Sequence, residues 1–193
     1  MSWIFTGLMW LAEQIGWRWA HAELRKLTDR PAFYPDRDTL EAESPLGKKL
    51  KDSNSIDAIW GTGIKSLVDK PFIGQKIKRL LLPDPNAEST KRYQSEVSPP
   101  RDICGEICTA TRLARDKKIT VRWLNEFPWY RLMIGNRGGP KSWMQIEMLS
   151  PGTHAGEDMS LQFQESKHKE TIDRMAATFD VLWTDRFSKD PPD

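Results

Sequence analysis

Three short apolar runs, set apart by polar or helical sequence, most constrain what this chain can fold into. They are SIDAIWG (55–61), IKRLLLPDP (77–85) and ITVRWLNEF (119–127). Each has strand length, and Gly or Pro punctuates the first two, so strands are the simplest reading. Between the second and third lies Arg101–Lys117, where Ile103, Ile107, Ala110 and Ala114 recur on one side of a helix. Ile64–Lys76 reads as a helix broken by Pro71 and weakened by Gly74. Residues 86–99 are polar and carry no periodic pattern. Strand and helix alternating in this way argue a mixed β-sheet flanked by helices, an α/β architecture.

The second half of the chain adds strands without intervening helices. WYRLMIGN (129–136), the turn RGGP (137–140) and SWMQIEML (142–149) form a plausible hairpin, and MSLQFQ (159–164) is a last short strand. Lys167–Phe187 closes the chain as a helix that should bury Ile172, Met175, Ala176, Phe179, Leu182 and Trp183. Residues 28–53, interrupted by Pro31, Pro35 and Pro45, read as a linker, and residues 188–193 as a tail.

Tryptophan is the compositional anomaly. Four of the nine, Trp3, Trp10, Trp17 and Trp19, fall in the first nineteen residues. Trp3, Trp10 and Trp17 are spaced by seven and share an apolar helical face with Ile4, Leu8, Leu11 and Ile15 over residues 1–27. Two readings stand. The helix packs on the domain or on a second copy in a homodimer, or it lies in a membrane interface where indole is favoured. The remaining tryptophans, Trp60, Trp123, Trp129, Trp143 and Trp183, fall in expected strands and the closing helix, where large rings are ordinary core material.

Other classes are excluded by simple counts. A net charge of +2 over 193 residues rules out a chain that is basic throughout. Cys104 and Cys108 lie four apart in one helix, a poor disulfide geometry, so a reducing, cytoplasmic setting is expected, with peripheral membrane contact left open. His21, His154 and His168 are scattered, no CxxC or HxxxH occurs, and no metal or cofactor is expected. No run reaches the ~20 apolar residues of a membrane span. Residues 1–11 lack the basic start and small-residue cleavage site of a secretory signal. Glu147, Asp158 and Glu165 have no spacing that would make an acid/base pair. GTGIKS (61–66) lacks the glycine directly before lysine that a phosphate loop requires.

The strand SIDAIWGTG, the strand running into LLLPDPN (80–86), the helix leading to ITVRW, the hairpin and the closing helix with FDVLW (179–183) coincide in one order. Residues 54–187 thereby resemble one half of a phospholipase D-like fold. They look closest to its single-copy, non-catalytic relatives, such as the membrane-binding domain at the C-terminus of some MIT-domain proteins. The active family carries H-x-K-x4-D, in which His attacks phosphorus, Lys neutralises phosphate charge and Asp supports the site. The matching frame here is Trp129-x-Arg131-x4-Asn136. Indole cannot attack phosphorus, so the resemblance implies lost phosphodiesterase chemistry and retained anion binding. Arg131 would hold the phosphate bidentately, with Asn136, Arg137 and Trp129 supporting. The active fold needs two halves, which again points to a homodimer. The expected partners are an anionic ligand or lipid head group, a membrane surface, and a second copy.

Two rival readings remain. A divergent phosphodiesterase or nuclease would have to use His154, since Lys169 stands next to His168 and breaks the H-x-K spacing. A nucleic-acid-binding regulator, ranked behind the others, would use the middle of the chain. Ile64–Arg122 holds thirteen Lys and Arg against seven Asp and Glu, with clusters at Lys76, Lys78, Arg79 and at Arg112, Arg115, Lys117, Lys118. Around the following hairpin, Trp123, Phe127, Trp129, Tyr130 and Trp143, interleaved with Arg122, Arg131, Arg137 and Lys141, would stack bases.

Overall fold

A computed structural model of the chain describes residues 31–44, 46–63, 67–68, 76–149 and 159–192. Eight strands form one sheet: β1 (Ala32–Tyr34), β2 (Ile56–Ile59), β3 (Ile77–Pro83), β4 (Thr120–Leu124), β5 (Tyr130–Gly135), β6 (Trp143–Met148), β7 (Ser160–Gln164) and β8 (Ser188–Lys189). Five helices accompany them: α1 (Arg37–Glu43), α2 (Leu46–Asp52), α3 (Glu88–Glu96), α4 (Ile103–Asp116) and α5 (Glu165–Leu182). The strand order is β1-β7-β6-β5-β2-β3-β4-β8. β2, β3 and β4 run parallel, while β5, β6, β7 and β8 add antiparallel neighbours on either side. The mixed α/β sheet read from the sequence is therefore present. The Trp-rich helix expected over residues 1–27, with Trp3, Trp10 and Trp17, lies outside the described residues, as does His154.

The central strand shows why the sheet must be covered on both sides. Leu80, Leu81 and Leu82 are all fully buried, and successive side chains of a strand point to opposite faces. Leu80 and Leu82 join Ala58, Met133, Trp123 and Trp143 in a core with Leu46 and Leu50 of α2, Tyr93 of α3, and Ile103, Ile107, Ala110 and Ala114 of α4. Leu81 joins Ile59, Leu132, Ile134, Met144 and Phe163 in a second core closed by Ile172, Ala176 and Phe179 of α5. The first face thus belongs to α2, α3 and α4, and the second to α5.

Helix α4 illustrates how local sequence sets an element. Asp102 caps it, its carboxylate accepting from Gly105 N at 2.9 Å. A Cβ at Gly105 would stand 2.1 Å from that carboxylate, so the cap and the glycine belong together. The helix ends where Lys118 takes φ +59°.

Three expectations differ from what the structure holds. The linker of residues 28–53 carries, from residue 32 on, β1, α1 and α2. Leu40, Leu46 and Leu50 are buried there. Prolines obscured it: Pro35 stands just before Asp36, which caps α1 by accepting from Thr39 N at 2.7 Å, and Pro45 stands just before α2. At helix starts proline costs little. The polar stretch 86–99 contains α3, which buries only Thr90 and Tyr93, too narrow a stripe to read as periodic. The tail supplies β8, whose Ser188 and Lys189 pair with Leu124 and Trp123. Arg122 holds that strand through the Ser188 Oγ at 3.0 Å and carbonyl at 2.9 Å, and Arg115 donates to the carbonyls of Pro191 and Pro192 at 2.6 and 2.8 Å. No helix among the described residues is long and apolar enough to cross a membrane.

Candidate ligand-binding cleft

The frame Trp129-x-Arg131-x4-Asn136 lies along β5, and strand geometry decides its fate. Trp129 precedes the strand and Asn136 follows it, so at about 3.4 Å per residue roughly 23 Å separates them. Arg131 alternates with Leu132 and therefore shares a face with Met133, towards α4. There its Nη1 donates to Glu147 Oε2 at 3.0 Å, on the directly opposed residue of β6. Asn136 sits at φ +53° and its Oδ1 accepts from Asn54 N at 2.7 Å, so it closes the strand end. Arg137 reaches the opposite face and grips Asp180 of α5 with both Nη atoms, one at 2.6 Å to Oδ1 and the other on Oδ2. The four residues expected as one anion site therefore occupy two ends and two faces of the sheet.

Arg137 belongs to a charge cluster at the amino ends of the parallel strands. Arg79 donates its Nε to Asp57 Oδ1 at 3.0 Å and its Nη1 to Asp180 Oδ1 at 2.9 Å, with its Nη2 also on Asp57. The Arg79 guanidinium lies 4.8 Å from the Phe179 ring centre. Hydrogen bonds from Arg137, and then Arg79, hold the Asp180 carboxyl down to about 2. A carboxylate whose folded pKa is depressed stabilises the fold above its ordinary value and loses that contribution as pH falls through the folded value. Denaturation of wild type and Asp180→Asn should therefore differ at pH 6, and the gap should close between about pH 4 and pH 2. A gap that stays constant over that window would show that Asp180 is not the titrating partner.

A real concavity forms at the other end of the sheet, where the parallel strands present their carboxyl ends. A cavity of about 380 Å³ opens between the β4–β5 loop and the end of α5, walled by Phe127, Pro128, Trp129, Tyr130, Leu182 and Phe187. Open α/β sheets place ligands outside the carboxyl ends of their parallel strands, and this volume falls in the range of small-molecule sites. The walls are held before any ligand arrives. Phe127 stacks on Tyr93 at 3.9 Å, and Trp129 meets both rings edge-on at 6.2 Å. Phe127 N donates to Ser89 Oγ at 2.9 Å, Asn125 N to Phe187 O at 3.0 Å, and Leu149 N to Trp129 O at 2.9 Å.

Trp129 is 48% exposed, unlike Trp60, Trp123 and Trp143, which are core. The expectation that Trp129 is core material is thereby corrected: the loop that carries it lies beyond the sheet, so its ring reaches solvent. Burial pushes the Tyr130 phenol up. Arg186 lines the same cleft, stacks its guanidinium 5.1 Å from the Phe187 ring centre, and forms no ion pair with any described residue. Sequence reasoning missed Arg186, because its only signal was a basic residue near the end of a helix.

Several of the remaining sequence candidates have structural employment. Trp123, Phe127 and Trp143 are buried, so these three cannot stack bases. Arg79, Arg115 and Arg122 are engaged within the fold. His168 packs edge-on against Phe163 at 5.5 Å beside a kink in α5. Cys104 and Cys108 are free thiols, and burial raises the Cys104 pKa. Among the described residues no three His, Cys, Asp or Glu side chains converge to hold a metal ion. No family model matches the chain, and no curated protein and no solved structure matches it either.

Proposed function

We propose that this chain is a non-catalytic binding module of the phospholipase D-like kind, which holds an anionic, phosphate-bearing ligand with a flat apolar part in the cleft beside Trp129. The half-exposed Trp129 ring on the wall of a preformed cleft carries this reading. An indole offers a large rigid surface at low entropic cost. At the same site Arg186 offers a guanidinium whose charge no carboxylate neutralises among the described residues, suited to a phosphate oxygen. Arg131, by contrast, already serves a buried carboxylate. The parallel strands β2, β3 and β4, the hairpin β5–β6, β7 and α5 follow one another as the family reading expects, with α3 as an addition, and this succession supports that reading.

Most of the walls are inert: Phe127, Pro128, Trp129, Leu182 and Phe187 offer no nucleophile or general base, and Glu126 is the one carboxylate that lines the cleft. The raised Tyr130 phenol stays protonated at neutral pH.

Bis-p-nitrophenyl phosphate tests both halves of the proposal, since it joins aromatic rings to a phosphodiester and releases a coloured product on cleavage. Saturable binding without colour is expected. Trp129→Ala should weaken that binding about tenfold, as loss of a buried aromatic anchor does. Equal binding by wild type and variant would remove the cleft from consideration, and colour release that follows protein concentration would make the module an enzyme.

A further inference from the structure

Lys49 of α2 stands in an unusual setting at the opposite end of the sheet from Trp129. Its ammonium donates to Gln162 Oε1 of β7, which also accepts from Ser44 Oγ at 2.8 Å. Gln162 Nε2 donates to Gln145 Oε1 at 2.9 Å, and Gln145 Nε2 donates to Glu147 Oε1 at 2.8 Å. The other oxygen of Glu147 accepts from Arg131 at 3.0 Å. The one carboxylate of this buried network is thus committed elsewhere, two amides away from Lys49.

Lys49 therefore keeps a half-buried positive charge with a neutral amide as its hydrogen-bond partner and the Trp143 ring centre 5.8 Å away. It forms no ion pair with any described residue. Removing an ammonium from water without a counter-charge is unfavourable. Burial accordingly lowers the amine to about 8.

The amine opens onto a cavity of about 260 Å³, walled also by Lys141, Ser142, Trp143, Gln164 and Ser166. Lys141 brings a second ammonium without an ion pair among the described residues. Two cations, the Ser166 hydroxyl and no described carboxylate around one cavity suit a compact dianion, while the Ser142 hydroxyl donates to the Gly139 carbonyl at 2.8 Å. We propose that this cavity binds the phosphate group of a small ligand between the ammonium groups of Lys49 and Lys141. The bound anion supplies the counter-charge that the fold withholds from Lys49.

The other charged groups around Lys49 do not substitute for that anion. On its own helix Lys48, Lys51 and Asp52 are exposed to solvent. On α1 the Glu41 carboxylate accepts from Leu46 N at 3.3 Å. On β6 the charged residue is Glu147, held as described, and its partner Arg131 is on β5. On β7 the facing residues are the uncharged Gln162 and Gln164, and from α5 the titratable His168 accepts from Gln164 N at 3.2 Å through its Nδ1.

Calorimetric titration tests this directly, with inorganic phosphate for affinity and sulfate, which does not titrate, for proton counting in buffers of different ionisation enthalpy. An anion that favours the charged amine must draw a proton onto it. Near pH 8 the uptake should approach about half a proton per sulfate, and near pH 6 it should vanish. Acetate should bind more weakly than either dianion. Lys49→Met, which keeps the aliphatic stem against Trp143, should weaken phosphate at least tenfold and abolish the uptake. Lys49→Arg should retain phosphate binding yet take up no proton. An unchanged affinity in Lys49→Met overturns the proposal, as does equal uptake in all three proteins or the absence of binding at millimolar phosphate. Loss of phosphate binding in Trp129→Ala but not in Lys49→Met would place the anion in the other cleft and likewise overturn it.

Discussion

Replacing Phe179 by alanine is expected to lower the free energy of unfolding by about 3–5 kcal/mol, the range for deleting a fully buried aromatic ring. Phe179 is completely inaccessible and belongs to the core that also contains Ile59, Leu81, Leu132 and Ile134. It also stacks on Trp183 at 5.7 Å and lies beneath the Arg79 guanidinium. Truncation would therefore open a cavity and loosen the charge cluster above it. Because α5 is the helix that covers this face, the surrounding strands cannot collapse into the gap without dragging the sheet. Urea denaturation followed by circular dichroism should show a lower midpoint with a similar slope. Val181→Ala, two residues along on the 52% exposed surface, is the matched control and should stay within about 0.5 kcal/mol. If the two variants lose similar stability, the account of the second core is wrong.

Glu147→Ala should cost about 3 kcal/mol or more, through electrostatics rather than volume. Glu147 is 4% exposed and accepts from both Arg131 and Gln145. Alanine would leave the half-buried guanidinium without this carboxylate and the Gln145 amide without its acceptor. The distinguishing measurement is a double-mutant cycle with Arg131→Met. If the pair is the reason for the loss, removing Arg131 as well should recover part of it, and the two changes should not add. Strict additivity would show that Glu147 matters only for packing. The same cycle tests the sequence-level idea that Arg131 waits for an external phosphate, since an arginine used in that way would be indifferent to Glu147.

Arg131 also shows where sequence reading stopped. The resemblance would set it where the active family places lysine, and its neighbours along the chain suggest an available cation. Its partner is sixteen residues away, on the far strand of a hairpin whose register sets Arg131 directly opposite Glu147. Arg137 was invisible in the same way, because Asp180 lies forty-three residues downstream on α5. Trp129 reads as the first residue of a strand and so as core material, yet it stands just before β5 and its ring reaches solvent. Lys49 drew no notice, because the stretch around it read as a linker and nothing local distinguishes a lysine that will be desolvated by β6 and β7.

The fold was legible where the signal is local. Ile103, Ile107, Ala110 and Ala114 mark the buried side of α4 because a helix repeats its face every few residues, whatever it packs against. LLLPDP reads as a covered strand because three successive leucines leave neither face for water. The two strand-length runs and the RGGP turn between them define the β5–β6 hairpin from within its own sequence. For these segments the sequence by itself determined whether each is helix or strand and which side is apolar, whereas β1, α1, α2, α3 and β8 carried too little local signal. Only the tertiary structure decided which charges are neutralised, which aromatic ring reaches solvent and which lysine loses its water. The physical reason is that charge pairing and desolvation depend on distance through space, and the residues that set them here can lie more than a hundred positions apart along the chain, as Arg79 and Asp180 or Lys49 and Gln162 do.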